Sequence, residues 1–121
     1  MAGHADFAAG VVSAVELITG HGDRLIPIQV HGLCGEDIQA LLRERLAETG
    51  ARVIFTDLQA GSCTMAARLV LRDVPGAVLV AGVNLPMLLD FVLSSDPDPV
   101  TAAVAASERG RKAVSVHGGP A

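Results

Sequence analysis

The chain has 121 residues, one domain by its length and enough for a single buried core. Half of its residues are apolar, yet only three are aromatic, all Phe, so the core has to be built from Ala, Val, Leu and Ile. A formal charge of −4 at pH 7 and an isoelectric point near 5.4, with no basic stripe along the chain, exclude the positive face that nucleic-acid binders present.

Phe7, Val11, Ala14, Val15 and Ile18 recur at helical spacing, and Gly20 ends that run as a C-terminal cap. Leu25 to Val30 is a short apolar run holding Pro27, which suits an edge strand. Glu36 to Thr49 predicts a helix with an apolar stripe through Ile38, Leu41, Leu42 and Leu46, stopped by Gly50. Arg52 to Thr56 reads as a buried strand. Cys63 to Leu71 reads as a helix offering Met65, Leu69 and Val70 to the core. Ala77 to Val83 is a continuous apolar strand of the kind found in sheets covered on both faces. Pro86 to Leu93 predicts a helix with proline in its first turn, where proline is tolerated. Pro99 to Arg109 predicts another helix closed by Gly110, and Lys112 to His117 a last strand.

Strands alternating with helices imply an α/β fold with a mostly parallel sheet covered by helices on both faces. Ala77 to Leu93 is the longest nearly apolar stretch, but Gly82, Asn84, Pro86 and Asp90 break it into strand, turn and helix, not a membrane span. No charged segment followed by an apolar one opens the chain as a secretory signal does. Cys34 and Cys63 are expected to stay reduced in a cytoplasmic protein. The four histidines and two cysteines lack the spacing of a zinc site, and no metal or cofactor is expected.

Ligands of such sheets bind at the carboxyl ends of strands. Asp57-Leu58-Gln59-Ala60-Gly61-Ser62 follows the strand ending at Thr56 and precedes a helix. A small-residue loop running into a helix N-terminus offers unpaired N–H groups and a favourable dipole to an anion. Asp57 would repel that anion unless a cation or a proton donor lay between them. His4, at the mouth of the first helix, is the candidate. Alternatives stand beside each assignment. His4 alone reads as a solvated histidine near the chain start. Asp57 and Ser62 read as helix N-caps. Cys63, near a helix N-terminus, is a rival nucleophile if its thiol pKa is lowered. Asn84 reads as the cap of the helix that begins at Leu85. His21 reads as a solvated loop residue, and His31 and His117 follow predicted strands.

Gly3-His4-Ala5-Asp6-Phe7-Ala8-Ala9-Gly10, Thr56-Asp57-Leu58-Gln59-Ala60-Gly61-Ser62 and Ala81-Gly82-Val83-Asn84-Leu85-Pro86-Met87 occur in that order with fitting spacing. Together they resemble the EIIA component of the mannose-family phosphoenolpyruvate-dependent sugar phosphotransferase system, over essentially the whole chain. The resemblance implies one EIIA-type phosphocarrier domain over residues 1–121. Such a domain takes a phosphoryl group from HPr and passes it to EIIB, meeting the membrane only through the transporter complex. Carried over, His4 is the phosphoryl acceptor, Asp57 the carboxylate that orients it, and Gly61 and Ser62 the phosphate contacts. The resemblance also implies a homodimer in which the last strand, 112–117, crosses to the partner's sheet. A phosphocarrier subunit serving dihydroxyacetone kinase, or a regulatory or structural binding module of the same fold without turnover, are the alternatives.

The chain departs from the family pattern in two places. Ala5 stands where the family usually has glycine after its histidine. The family also has a full apolar strand before the histidine, whereas Met1-Ala2-Gly3 is all that precedes His4. The expectation is an open slot between 25–30 and 52–56, five to eight further residues upstream in the natural gene, and a frayed His4 without them.

Overall fold

Glycines end the first two helices. Helices α1 (Phe7–Thr19) and α2 (Gly35–Thr49) stop at Gly20 and Gly50, whose left-handed backbones (φ 74° and 70°) turn their N–H groups back onto the Glu16 and Leu46 carbonyls. Strand β1 (Val53–Thr56), helix α3 (Ser62–Val70), strand β2 (Val78–Ala81), and helices α4 (Leu85–Leu93) and α5 (Pro99–Lys112) follow in order. The structure is a computed structural model describing residues 1–120.

β1 and β2 pair in parallel, from Val53 opposite Val78 to Thr56 opposite Ala81. Because side chains alternate along a strand, Phe55, Val53 and Val80 face one way and Ile54 and Leu79 the other. The first face is covered by α1, α4 and α5, through Val15, Leu88, Val92, Ala103 and Ala106. The second is covered by α2 and α3, through Ile38, Leu42, Leu46, Ala66, Ala67 and Val70. Phe55 and Phe91 meet edge to face with centroids 4.9 Å apart. The expected α/β architecture with helices on both faces is present, around a regular parallel sheet that has two strands among the described residues.

The place between 25–28 and β1 is not empty at the carboxyl end of β1. Ala2, fully buried, bridges Ile28 on one side and Thr56 on the other, both in parallel. Its N–H donates to the Phe55 carbonyl at 2.9 Å, the Ile28 N–H donates to the Met1 carbonyl at 2.9 Å, and the Met1 amine donates to the Ile26 carbonyl at 2.9 Å. Burial lowers that amine's pKa to about 6. The expectation of a frayed start is corrected: two residues act as a minimal strand, and His4 follows from a pinned backbone. Beyond Met1 the slot continues as a groove of about 230 Å³, lined among others by Ile26, Leu46, Val53 and Phe55. Val53 sits two residues before Phe55, so its N–H and C=O point the same way, away from β2.

Other expectations are also revised. Residues 25–30 make one bridge rather than a ladder, and Pro27 has no N–H to give to one. On α3 the buried side chains are Cys63, Thr64, Ala66, Ala67 and Val70, while Met65 is 54% and Leu69 37% exposed. Phe7 and Ile18 of α1 are likewise exposed. The expected strand from Lys112 to His117 does not form in the single chain: α5 runs on to Lys112, and residues 113–120 lie outside any helix or strand, exposed throughout. Arg109, Arg111 and Lys112 occupy the last turn, where the helix dipole favours cations.

Gly110 therefore lies inside α5 instead of ending it. A Cβ there would stand 2.7 Å from Cβ of Met87 and 3.0 Å from Oδ1 of Asn84, so the absence of a side chain is what lets α5 close on α4. On propensity alone Gly110→Ala would stabilise the helix by about 1 kcal/mol. Overpacking costs about 1–3 kcal/mol and should win. Urea denaturation should show a lower midpoint for Gly110→Ala; a higher one would mean the helices separate without strain.

Candidate functional site

The bridged segment Met1–Ala2 delivers His4 to the carboxyl end of β1. There, one oxygen of Asp57, Oδ2, accepts two hydrogen bonds from the same residue: the His4 backbone N–H at 2.7 Å and ring Nδ1 at 2.8 Å. A carboxylate only accepts, so the hydrogen on this contact belongs to Nδ1. In the neutral ring that leaves Nε2 with its lone pair. The Asp57 side chain is only 10% exposed and the His4 ring 54%, so the carboxylate is sheltered and the ring opens to solvent. Burial pushes the Asp57 pKa up, but the His4 N–H, the ring hydrogen bond and the ring charge outweigh it and hold the carboxyl below its ordinary value.

Gly61 lies against the other edge of the ring. A Cβ on Gly61 would be 3.1 Å from Cε1 and 3.7 Å from Nε2 of His4, and the residue's φ of 130° is one that side chains disfavour. Gly61 caps α3, and its carbonyl takes the first helical bond, from the Met65 N–H. The bare nitrogen therefore stands beside the amino end of α3, where N–H groups and dipole suit an anion. Gly3 keeps the opposite flank clear, since a Cβ there would sit 3.2 Å from the Asp57 carboxyl carbon.

The loop between β1 and α3 is held from beneath. Thr56 and Thr64, both buried, join hydroxyls at 2.7 Å, and the Thr64 hydroxyl also donates to the Leu58 carbonyl. The Thr56 carbonyl accepts from both Gly82 and Val83 N–H groups, at 3.0 and 3.1 Å. Asp57 thus projects from a backbone tied to β2, to α3 and, through Ala2, to the chain start. Among the described residues no group of three or more His, Cys, Asp or Glu is placed to hold a metal ion.

A family model described as the PTS system fructose IIA component matches residues 1–108. This chain belongs to that family. IIA proteins are phosphotransfer components of the sugar phosphotransferase system. The fold of this IIA chain is similar to that of a mannose/sorbose-specific IIA subunit from Enterococcus faecalis, with TM-score 0.85, 22% identity, and 99% of this chain and 93% of that one covered. It is also similar to EIIA from Streptococcus agalactiae, at TM-score 0.76 and 25% identity with 90% of each covered. A IIA protein associated with the fucose utilization operon of Streptococcus pneumoniae aligns at TM-score 0.67 and 19% identity, covering 88% of this chain and 85% of that one. No curated protein gives a significant match by sequence.

Within the IIA chain, His4, Asp57 and Gly61 converge. Ser62 is adjacent as the first residue of α3, exposed, with Gly61 and not Ser62 at the cap. Asp57 is no helix cap, because both of its named bonds go to His4. Cys63 is corrected as a rival nucleophile: it is 1% exposed, and burial together with the Asp57 charge pushes its thiol pKa up. Asn84 caps α4 as expected, its Oδ1 accepting from the Met87 N–H at 3.0 Å while Nδ2 donates to the Gly110 carbonyl at 2.8 Å. His21 and His117 are exposed. Sequence reasoning missed Thr56 and Thr64, whose only signal is two polar residues where a buried strand and helix face the core. It also missed the role of His31, whose Nε2 lies 2.7 Å from the Ala5 carbonyl.

The lowered Asp57 pKa fixes a pH dependence. A carboxyl depressed in the folded state adds stability above its unfolded pKa, about 3.9, and loses it as pH falls through the lower folded value. Asp57→Asn removes this contribution. Urea midpoints should show the variant less stable than the parent at pH 7, and the gap should close as pH falls through the lowered folded value of Asp57. A gap independent of pH would mean the charge of Asp57 adds nothing to the fold.

Proposed function

We propose that the chain is the cytoplasmic phosphocarrier of a sugar phosphotransferase system, taking a phosphoryl group from phospho-HPr on His4 and handing it to EIIB. The observation that carries this reading is the doubly bonded His4–Asp57 pair with Nε2 left free at the start of α3. The lone pair of Nε2 attacks phosphorus in line with the bond to the donor histidine. That P–N bond breaks as the new one forms, and the donor imidazole leaves with its electron pair. Nδ1 keeps its proton throughout, and the carboxylate of Asp57 stabilises the positive charge the ring gains. The N–H groups at Gly61 and Ser62 receive the phosphoryl oxygens, so that charge is met by dipoles already in place. Transfer to EIIB is the same step in reverse geometry.

Phe7 and Leu58 support the docking of a carrier protein. They flank the pair and are 39% and 53% exposed, offering apolar contact around an open ring. No helix among the described residues is long and apolar enough to cross a membrane, in keeping with a component that reaches the membrane only through its transporter. The segment Gly82 to Met87 favours the sugar branch over service to dihydroxyacetone kinase. Incubation with labelled phosphoenolpyruvate, enzyme I and HPr should give acid-labile label on His4, and none on His4→Ala. Equal labelling of that variant, or no label on the parent chain, refutes the assignment; the second result favours a binding module without turnover.

The same reading includes a homodimer. The outer edge of β2 has no strand beside it among the described residues, and such edges invite pairing. The tail beyond α5 exposes Val114 and Val116 at 72% and 92%, apolar side chains that a partner's sheet would cover. Sedimentation should give a dimer at micromolar concentration and a monomer once residues 113–121 are deleted. A monomer in both cases excludes strand exchange.

A further inference from the structure

Ala5 is the one described residue other than glycine with a positive φ, at 47°. A β-carbon makes that left-handed conformation unfavourable, and it persists only where surroundings over-determine it. The turn it belongs to joins His4 to α1, with the Phe7 N–H donating to the His4 carbonyl at 3.0 Å. Nothing within the turn's own side chains holds it: Asp6, at the cap position of α1, makes no side-chain cap bond. The hold comes from elsewhere in the chain. His31, in the loop between Val30 and Leu33, brings Nε2 to 2.7 Å from the Ala5 carbonyl and to 3.7 Å from Oδ1 of Asp6. A carbonyl only accepts, so Nε2 of His31 carries the hydrogen.

We propose that His31 is a positioning residue: its Nε2–H, bound to the Ala5 carbonyl, clamps the left-handed turn and so keeps His4 on Asp57. The proposal rests on the reading of His4 as phosphoryl acceptor. Its logic is local. His4 is attached to Asp57 through its own N–H and its ring; the N–H lies on the Gly3–His4 peptide, anchored from the Ala2 side, and it is the ring's approach that the turn at Ala5 sets. When the clamp is lost, Ala5 relaxes toward negative φ, the peptide after His4 rotates, and the ring loses its fixed approach to Gly61. A glycine at position 5 occupies the left-handed region at no steric cost, so it makes the clamp dispensable. Gln at position 31 keeps an N–H donor at about the reach of Nε2.

The test is a double-mutant cycle on the full chain, reading the rate of phosphorylation by phospho-HPr. His31→Ala should lower kcat about fivefold to tenfold, the ratio that one hydrogen bond supplies, with KM for phospho-HPr unchanged. His31→Gln should stay within about twofold of the parent on the same scale. Ala5→Gly should restore His31→Ala to within about twofold as well. In parallel, NMR follows the Ala5 carbon shifts and the His4 ring nitrogen shifts. Both should move in His31→Ala and return in His31→Ala with Ala5→Gly. An equal deficit in both position-5 backgrounds, a deficit in KM alone, or unmoved Ala5 shifts in His31→Ala each overturn the clamp. A parent chain that takes no phosphate would sink the phosphocarrier reading, and the NMR arm then decides the clamp by itself.

Discussion

One oxygen atom organises this end of the molecule. Oδ2 of Asp57 accepts both the backbone N–H and the ring Nδ1 of His4, and so fixes the residue's main chain and its side chain together. A hydrogen bond to a charged group contributes about 1.5–3 kcal/mol, with the lower end fitting a ring that is half exposed. The left-handed turn at Ala5 costs about 1–2 kcal/mol. Two such bonds outweigh that cost, provided that the surroundings support the geometry in which both form.

Those supports come from every layer of the fold. Glycines at 3 and 61 leave room for the carboxylate and the imidazole edge. The buried hydroxyls of Thr56 and Thr64 set the loop that begins with Asp57. Ala2, bridged on both sides, turns the start of the chain into part of the sheet, so that His4 leaves from an anchored backbone. The helices matter less directly: α2 and α3 close one face of the sheet, α1, α4 and α5 the other, and the amino end of α3 lies beside the free nitrogen.

Much of this was legible in the residues. Glycine caps and apolar runs place α1, α2, β1 and β2 within a residue or two of their observed bounds, and the position of Asn84 just before Leu85 marks it as a cap. The order of His4, Asp57 and Gly61 suggested a site because strand ends and helix starts in α/β sheets carry ligands. What escaped was set by packing at a distance. Gly110 reads as a helix stop until Met87 is seen to occupy the space beside it. His31 reads as a loop residue because its partner is 26 positions away. The segment 112–117 alternates like a strand, yet a strand needs a neighbour, and within one chain the dipole of α5 and its basic last turn carry the helix through Lys112 instead. The slot before His4 reads as vacant because Met1-Ala2-Gly3 is short for a strand; a single buried alanine bridges both flanks at one end, and the rest stays a groove.

The protonation of the His4 ring is the quantity on which the rest depends. Nitrogen NMR of the unphosphorylated chain at neutral to mildly alkaline pH reads it directly. The expected spectrum places the hydrogen on Nδ1, coupled to Asp57 and lost from that site in Asp57→Ala, with Nε2 bare. A ring carrying its hydrogen on Nε2, or one whose tautomer ignores Asp57, would contradict the structure of the pair and the chemistry proposed for it.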